Sequence, residues 1–130
     1  MGEWIAALAA LAVPFTGHCD ALTALDVVRA LAWTSGDERL LSRAYAPGTD
    51  KADVERLRSW RERGITVEGA RTVRASCRVR AGEVEVVERL GPTVAVLADG
   101  TRHRLPADAW DRRIVEVAHR DGWWRIVRVR

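Results

Sequence analysis

The sequence has few of the residues that build recognisable metal or cofactor sites. It contains only two cysteines and three histidines. Cys19 and Cys77 form no CxxC pair, and the histidines at positions 18, 103 and 119 form no paired motif. Zinc sites normally need closely spaced ligands of these types. We therefore expect no metal ion, and we expect no cofactor because phosphate loops and dinucleotide fingerprints are also lacking.

Lysine is almost absent as well, since Lys51 is the single lysine in a chain whose lysines and arginines together number 21. The formal net charge is only +3, and acidic residues alternate with most of the arginines. A nucleic-acid-binding protein usually has a less compensated basic excess. The closing stretch "HRDGWWRIVRVR" is basic and aromatic, but its alternation around Asp121-Gly122 indicates a strand after a hairpin turn. We expect no nucleic-acid partner.

No hydrophobic run is long enough to cross a bilayer comfortably. The apolar stretch at residues 4–15 suits the core of a signal peptide, but it lacks a preceding basic region and a clear cleavage site. A lipid-modified cysteine normally follows a small residue. Cys19 follows His18 instead, which argues against lipidation. We treat residues 1–19 as an apolar segment that is a signal or anchor remnant or a packed helix, and residues 20–130 as the domain. An exported or envelope-associated protein is favoured over a cytoplasmic one.

The first half of the domain has the spacing of helices. Apolar residues recur every three to four positions over 20–33, a second short helix begins after Asp37, and a third covers 51–63. Gly64 is expected to end the third helix in a left-handed conformation.

After Gly64 the period changes to two, which is typical of strands with one buried face. In "TVRASCRVR" the apolar face is predicted to carry Val73, Ala75, Cys77 and Val79. Further strands turn at Ala81-Gly82, Gly91-Pro92, Asp99-Gly100 and Asp121-Gly122. The order predicts an α+β fold in which three N-terminal helices pack on one strongly curved antiparallel sheet. The predicted core is Leu25, Val28, Leu57, Trp60, Val79, Trp124 and Ile126.

This order resembles the NTF2-like superfamily, which includes the SnoaL-like cyclases and the ketosteroid isomerases. The resemblance rests on "ALDVVRALAWTSGDERLLSRAYAPGT", "DVERLRSWRERGITVEG", the meander and the final "DGWWRI". It covers residues 20–130, and the chain is also similar to small actinobacterial NTF2-like proteins. The resemblance implies a cone-shaped sheet with a pocket at its open end, used by some members as an active site and by others as an interaction surface. In such a pocket the expected ligand-binding residues are Trp33, Tyr45, Trp60, Cys77 and Trp110.

Catalysis in this superfamily relies on acid–base groups inside the cone, and the sequence offers few. Tyr45, His103 and Glu116 are the candidates, although each also fits an ordinary structural role: packing at a helix end, an exposed hairpin position, and a solvated strand residue opposite Arg128. The alternating pattern directs most strand carboxylates to one side and leaves Glu116 as an exception. Glu83, Glu85 and Glu88 are ambiguous, because a bulge around Val86-Val87 would turn Glu85 or Glu88 inward. Cys77 is interpreted as a small buried apolar residue, since no partner for a reactive thiol is evident.

The preferred interpretation is therefore a non-catalytic NTF2-like binding or protein-interaction module that is associated with the cell envelope. The alternative is a SnoaL-like isomerase, cyclase or dehydratase acting on a hydrophobic small molecule. The expected partners are a protein, an apolar small ligand, or a second copy of the chain. Homodimerisation is expected through the outer sheet face, where Trp123, Val127 and Val129 are predicted to leave apolar area.

Overall fold

A computed structural model describes residues 17–120 and 122–130. It contains three helices followed by seven strands, which confirms the predicted α+β class. The helices are α1 His18–Ser35, α2 Glu38–Ala44 and α3 Lys51–Glu62. The strands are β1 Thr66–Glu68, β2 Thr72–Arg80, β3 Glu83–Leu90, β4 Thr93–Val96, β5 Arg102–Leu105, β6 Asp111–Arg120 and β7 Trp123–Val129.

The helix boundaries follow the capping residues of the sequence. Gly36 has a φ of 73° and ends α1 by donating its N–H to the carbonyl of Ala32. The side chain of Asp37 then caps α2 by accepting from the N–H of Arg39 at 3.0 Å. Gly64, just after α3, has a φ of 69°, as predicted.

The strands form two hydrogen-bonded sheets and not the single sheet that was predicted. The order is β2-β3-β6-β7 in the larger sheet and β1-β4-β5 in the smaller, and every pairing is antiparallel. Strand β1 was not predicted, because its three residues are too short to show a period. The predicted turn at Asp121 lies outside the described residues.

The core lies between the helices and one face of the four-stranded sheet, which we call the inner face. Leu25, Val28, Leu57, Trp124 and Ile126 are buried there, as predicted. Trp60 is only partly buried. The prediction for Val79 was wrong, since its side chain is 46 % exposed at the end of edge strand β2.

A bulge in β2 changes which of its residues face inward. The register with β3 shifts between Arg74 and Ser76, so that Arg74 pairs with Glu88 while Cys77 pairs with Val86. The strand therefore turns Arg74 toward the same face as Cys77, and the predicted continuous apolar face through Val73 and Ala75 is wrong.

A second register shift corrects the predicted face of the C-terminal strand. Val117 pairs with Ile126 and Val115 pairs with Val129, so Val127 is the additional residue of β7. Val129 therefore lies on the inner face with Val115, and not beside Trp123 on the outer face. The outer face consequently carries less apolar area than was predicted for homodimerisation, which stays a prediction.

Cys19 and Cys77 form a disulfide that joins the start of α1 to β2. The two residues are 58 positions apart in sequence, and the cross-link holds the first helix over the inner face. Cys77, interpreted from the sequence as a small buried apolar residue, is partly buried and is held in this disulfide.

Candidate functional site

Cross-strand rows divide the inner face into an apolar end and a charged end. At the apolar end Trp124 and Ile126 are buried. Next along the strands, Val84 of β3 pairs with Val79 of β2 on one side and with Val115 of β6 on the other. At the other end Glu88 pairs with both Arg74 and Asp111. The ionisable side chains of this end meet others from α1, α3 and the end of α2. Together they form the inner charged cluster, which consists of Asp26, Arg29, Tyr45, Asp53, Arg74 and Glu88.

Arg74 bridges two carboxylates in this cluster. One of its terminal nitrogens donates to Asp26 Oδ2 at 2.5 Å and to Glu88 Oε1 at 3.0 Å. All three side chains are mostly buried, with exposures of 10–13 %. Buried carboxylates need such partners because isolated charges are costly to remove from water.

Arg29, one helical turn after Asp26 on α1, makes the second bridge between two carboxylates. Its terminal nitrogens lie 3.5 Å from Asp26 Oδ1 and 3.4 Å from Asp53 Oδ2. The Tyr45 hydroxyl donates to the same oxygen of Asp53 at 2.6 Å, and the guanidinium of Arg29 lies 5.5 Å from the centre of the Tyr45 ring. The cluster is thus one connected network that ties two helices and the α2 end to the sheet.

Burial raises the pKa of two groups in the network. It raises the pKa of the Asp26 carboxyl above its ordinary value, although Arg74 and Arg29 act in the opposite direction. Burial also raises the pKa of the Tyr45 hydroxyl, and the nearby Asp53 adds to this effect while Arg29 opposes it. Tyr45 therefore stays protonated at neutral pH and acts as a hydrogen-bond donor.

Two adjacent cavities open beside the cluster. The first, of about 350 Å³, has apolar walls that include Leu22, Ile126 and Val129. The second, of about 200 Å³, is lined by apolar residues that include Trp33 and Trp60. Four polar side chains line both cavities: Arg29, Asp53, Glu88 and Arg113.

The predicted ligand-binding residues are distributed unequally around these cavities. Tyr45 lines the first, while Trp33 and Trp60 line the second with their ring centres 5.2 Å apart. Trp110 is 46 % exposed and stacks at 4.2 Å on the guanidinium of Arg89, which contributes to the wall of the second cavity. Cys77 is held in the disulfide, so its thiol is not available.

Of the catalytic candidates, only Tyr45 lies at the cavities. His103 is exposed on β5 opposite Ala95. Glu116 pairs with Arg128 across the β6–β7 ladder, with 3.7 Å between their charged atoms. Of the carboxylates whose direction the sequence left ambiguous, Glu88 lies on the inner face and is 8 % exposed.

The sequence does contain signals for the residues that were missed. In "EVEVVERL" the two-residue period places Glu88 on the face of Val84 and Val86. On α1, Asp26 follows Leu22 by four positions and Arg29 follows Leu25 by four, so both continue the buried stripe. Both signals can be read from the sequence, but neither shows that helix α1 packs against strand β3.

Within residues 17–120 and 122–130, no group of three His, Cys, Asp or Glu side chains is arranged to hold a metal ion. Over the same residues, no helix is both long and apolar enough to span a membrane. The apolar stretch at 4–15 lies outside the described residues.

Solved structures with a similar fold include proteins from plastids and from bacteria. The chain resembles the intermembrane space region of the chloroplast protein ARC6, with a TM-score of 0.59 and 15 % identity over 90 % of this chain and 97 % of that one. A conserved protein of Planctomyces limnophilus gives a TM-score of 0.60 at 14 % identity, over 88 % and 98 % of the two chains.

A third solved structure with a similar fold is an NTF2-like superfamily protein from Salmonella enterica serovar Typhimurium. Its TM-score is 0.57 at 15 % identity, over 85 % of this chain and 86 % of that one. The chain has the NTF2-like fold, as the sequence resemblance predicted. No protein-family model and no curated protein matches the sequence. A fold of this kind does not select an activity.

Proposed function

We propose that the chain is a non-catalytic NTF2-like binding module that holds a small molecule in the two cavities of its cone. The observation that carries this proposal is the lining of the first cavity, which combines valine, leucine and isoleucine side chains with those of the inner charged cluster. Ligand sites in proteins are typically apolar hollows with a few fixed polar groups of this kind.

The hydrogen bonding of the cluster supports binding without turnover. The Tyr45 hydroxyl hydrogen is directed to Asp53, and the Asp26 and Glu88 carboxylates both accept from Arg74. A catalytic base and an oxyanion donor must be directed at the reacting atoms of a substrate. In this network the acids and donors are directed at one another.

An envelope location is supported by the disulfide between Cys19 and Cys77. Such bonds form and persist in oxidising compartments and are rare in the cytosol. We therefore place the module outside the cytoplasm, where a protein partner or a second copy of the chain could bind its outer surface.

The first experiment blocks the first cavity from its rim. Ala52 is exposed on α3 and lines that cavity, whereas Glu55 is exposed on the same helix and lines neither cavity. We expect Ala52→Phe to weaken binding of 2-naphthol, measured by calorimetry, by tenfold or more, which is about 1.4 kcal/mol. Glu55→Phe adds the same side chain and should leave binding unchanged. Equal binding by both variants would exclude the cavity as the ligand site.

One observation favours a second candidate, a SnoaL-like acid–base enzyme acting on a hydrophobic small molecule. Burial raises the pKa of Asp26, and a carboxyl group with a raised pKa beside a cavity is typical of acid–base catalysts. Asp26 and Glu88 also flank Arg74 at the first cavity, so that two carboxyl groups and one guanidinium lie side by side there.

A substrate screen separates the two candidates. For a binding module, we expect no turnover of ketones, epoxides or polyketide-like compounds. If turnover is found, Asp26→Asn and Glu88→Gln should be compared with Glu116→Gln, a strand carboxylate that lines neither cavity. A loss of about a hundredfold or more in the first two variants alone, the scale of a general acid–base contribution, would establish the enzyme.

A further inference from the structure

We infer that the ligand of the two cavities is an acid, with an apolar body and one anionic group, and that Arg113 binds the anionic group. This inference rests on the proposed binding function and makes it more specific. Arg113 lines both cavities, and in the described residues its guanidinium has a single hydrogen-bond partner.

The register of β6 fixes the direction of Arg113. It pairs with Val86, which is fully buried on the inner face, and it precedes the buried Val115 by two positions. Because side chains alternate along a strand, Arg113 shares the inner face with both valines. Its neighbour Arg112 occupies the opposite face and lies 3.5 Å from Glu85.

Arg113 differs from the cluster arginines in its pairing. Arg29 and Arg74 each contact two carboxylates of the cluster. Arg113 instead uses its Nε to donate to Asp111 at 3.2 Å, and both of these side chains are about half exposed. Over residues 17–120 and 122–130, its two terminal nitrogens have no protein partner, so they are available as a fork for a carboxylate or a sulfonate.

Other features of the cavities also fit an acid with an apolar body. The first cavity is lined by four arginines, Arg29, Arg74, Arg113 and Arg128, and by three acidic residues, Asp26, Asp53 and Glu88, so its formal charge is positive. In the second cavity, the tilted pair of Trp33 and Trp60 provides aromatic surface for the apolar body.

The test compares two probes that share one apolar body. 2-Naphthoate carries the anion and 2-naphthol does not, and calorimetry on the full chain measures both affinities. We expect naphthoate to bind at least about tenfold more tightly, since hydrogen bonds to charged groups are the stronger kind. Arg113→Gln should remove most of that difference by weakening the binding of naphthoate more than that of naphthol, while Arg113→Lys should restore only part of it because lysine lacks the fork.

Two control variants locate the effect. Arg112→Gln removes the same charge from the outer face of the same strand, and Arg63→Gln removes an exposed arginine just after α3 that lines neither cavity. Both should leave the preference for naphthoate unchanged. Equal affinity for the two probes, or a preference that Arg113→Gln leaves intact, would overturn this inference while the binding function stands. Failure of both probes to bind would overturn the binding function as well.

Discussion

The apolar end and the charged end of the inner face lie on the same strands, but burial has a different energetic effect at each. At the apolar end, Trp124 and Ile126 are buried against the helices and contribute by leaving water. At the charged end, Arg74 and Glu88 are buried to a similar degree but must hold each other and Asp26 to offset the loss of hydration. Burial at the first end therefore stabilises the fold, whereas burial at the second gives little net stability and instead fixes charged groups beside the cavities.

The most direct way to test this contrast is to truncate the largest side chain at the apolar end. Trp124 is 8 % exposed and lies between the rings of His18 and His119, whose centres are 5.4 Å and 5.2 Å from its own. We expect Trp124→Ala to lower the free energy of unfolding by about 3–5 kcal/mol, the usual range for a buried large aromatic residue. Urea denaturation measures the change.

Trp110→Ala is the matched control, because Trp110 is 46 % exposed and its main ring contact is with Arg89. Its truncation should cost about 1 kcal/mol or less, as for an exposed cation–π contact. Similar losses in the two variants would mean that the apolar end does not dominate the stability of the fold.

The disulfide lies where the two ends meet, since Cys77 stands in the same cross-strand row as Val86 and Arg113. A cross-link that closes a loop of this length restricts the unfolded chain. Its removal in Cys19→Ser/Cys77→Ser should therefore cost about 2–4 kcal/mol. Dithiothreitol should destabilise the native protein by a similar amount and leave the double variant unchanged. Equal stability of the native protein with and without reductant would contradict the expected role of this cross-link.

The sequence allowed the apolar end of the inner face to be predicted, but not the charged end. The helices, the strands of the larger sheet and five of the seven predicted core residues follow from apolar spacing, because burial imposes a period of 3.6 or 2 along each element. The charged end depends on two facts that no period contains. One is the bulge beside Arg74, which reverses the strand's phase within two residues. The other is the meeting of α1 with β2 and β3, which brings Asp26 to within 2.5 Å of Arg74.

The cavities were predictable to a similar extent. The resemblance placed Tyr45, Trp33 and Trp60 at a pocket, and these residues do line the two cavities. Arg113 was missed, although it continues the alternation of Val115 and Val117 toward the start of β6. Basic residues on strands are usually solvated, so an inward arginine can be recognised only when the register of the neighbouring strand is known.

The smallest expected effect is at the charged end, and it depends on pH. Asp26 is held between a burial effect that raises its pKa and two arginines that lower it, and burial is the larger. In the folded state the carboxyl therefore binds its proton more tightly than in the unfolded chain, where its ordinary value is 3.8. The favourable contribution of this proton is complete below that value and is lost as the pH rises through the folded-state pKa.

Compared with Asp26→Asn, which does not titrate at this position, the native protein should lose stability over that interval and then show a constant difference. Urea denaturation of both proteins from pH 3.8 to neutrality measures the change, and Asp20→Asn, at an exposed position in the first turn of α1, controls for removing a carboxylate. A native protein that gains stability relative to Asp26→Asn as the pH rises would show that the ion pairs with Arg74 and Arg29 outweigh burial, and that the charged end stabilises the fold after all.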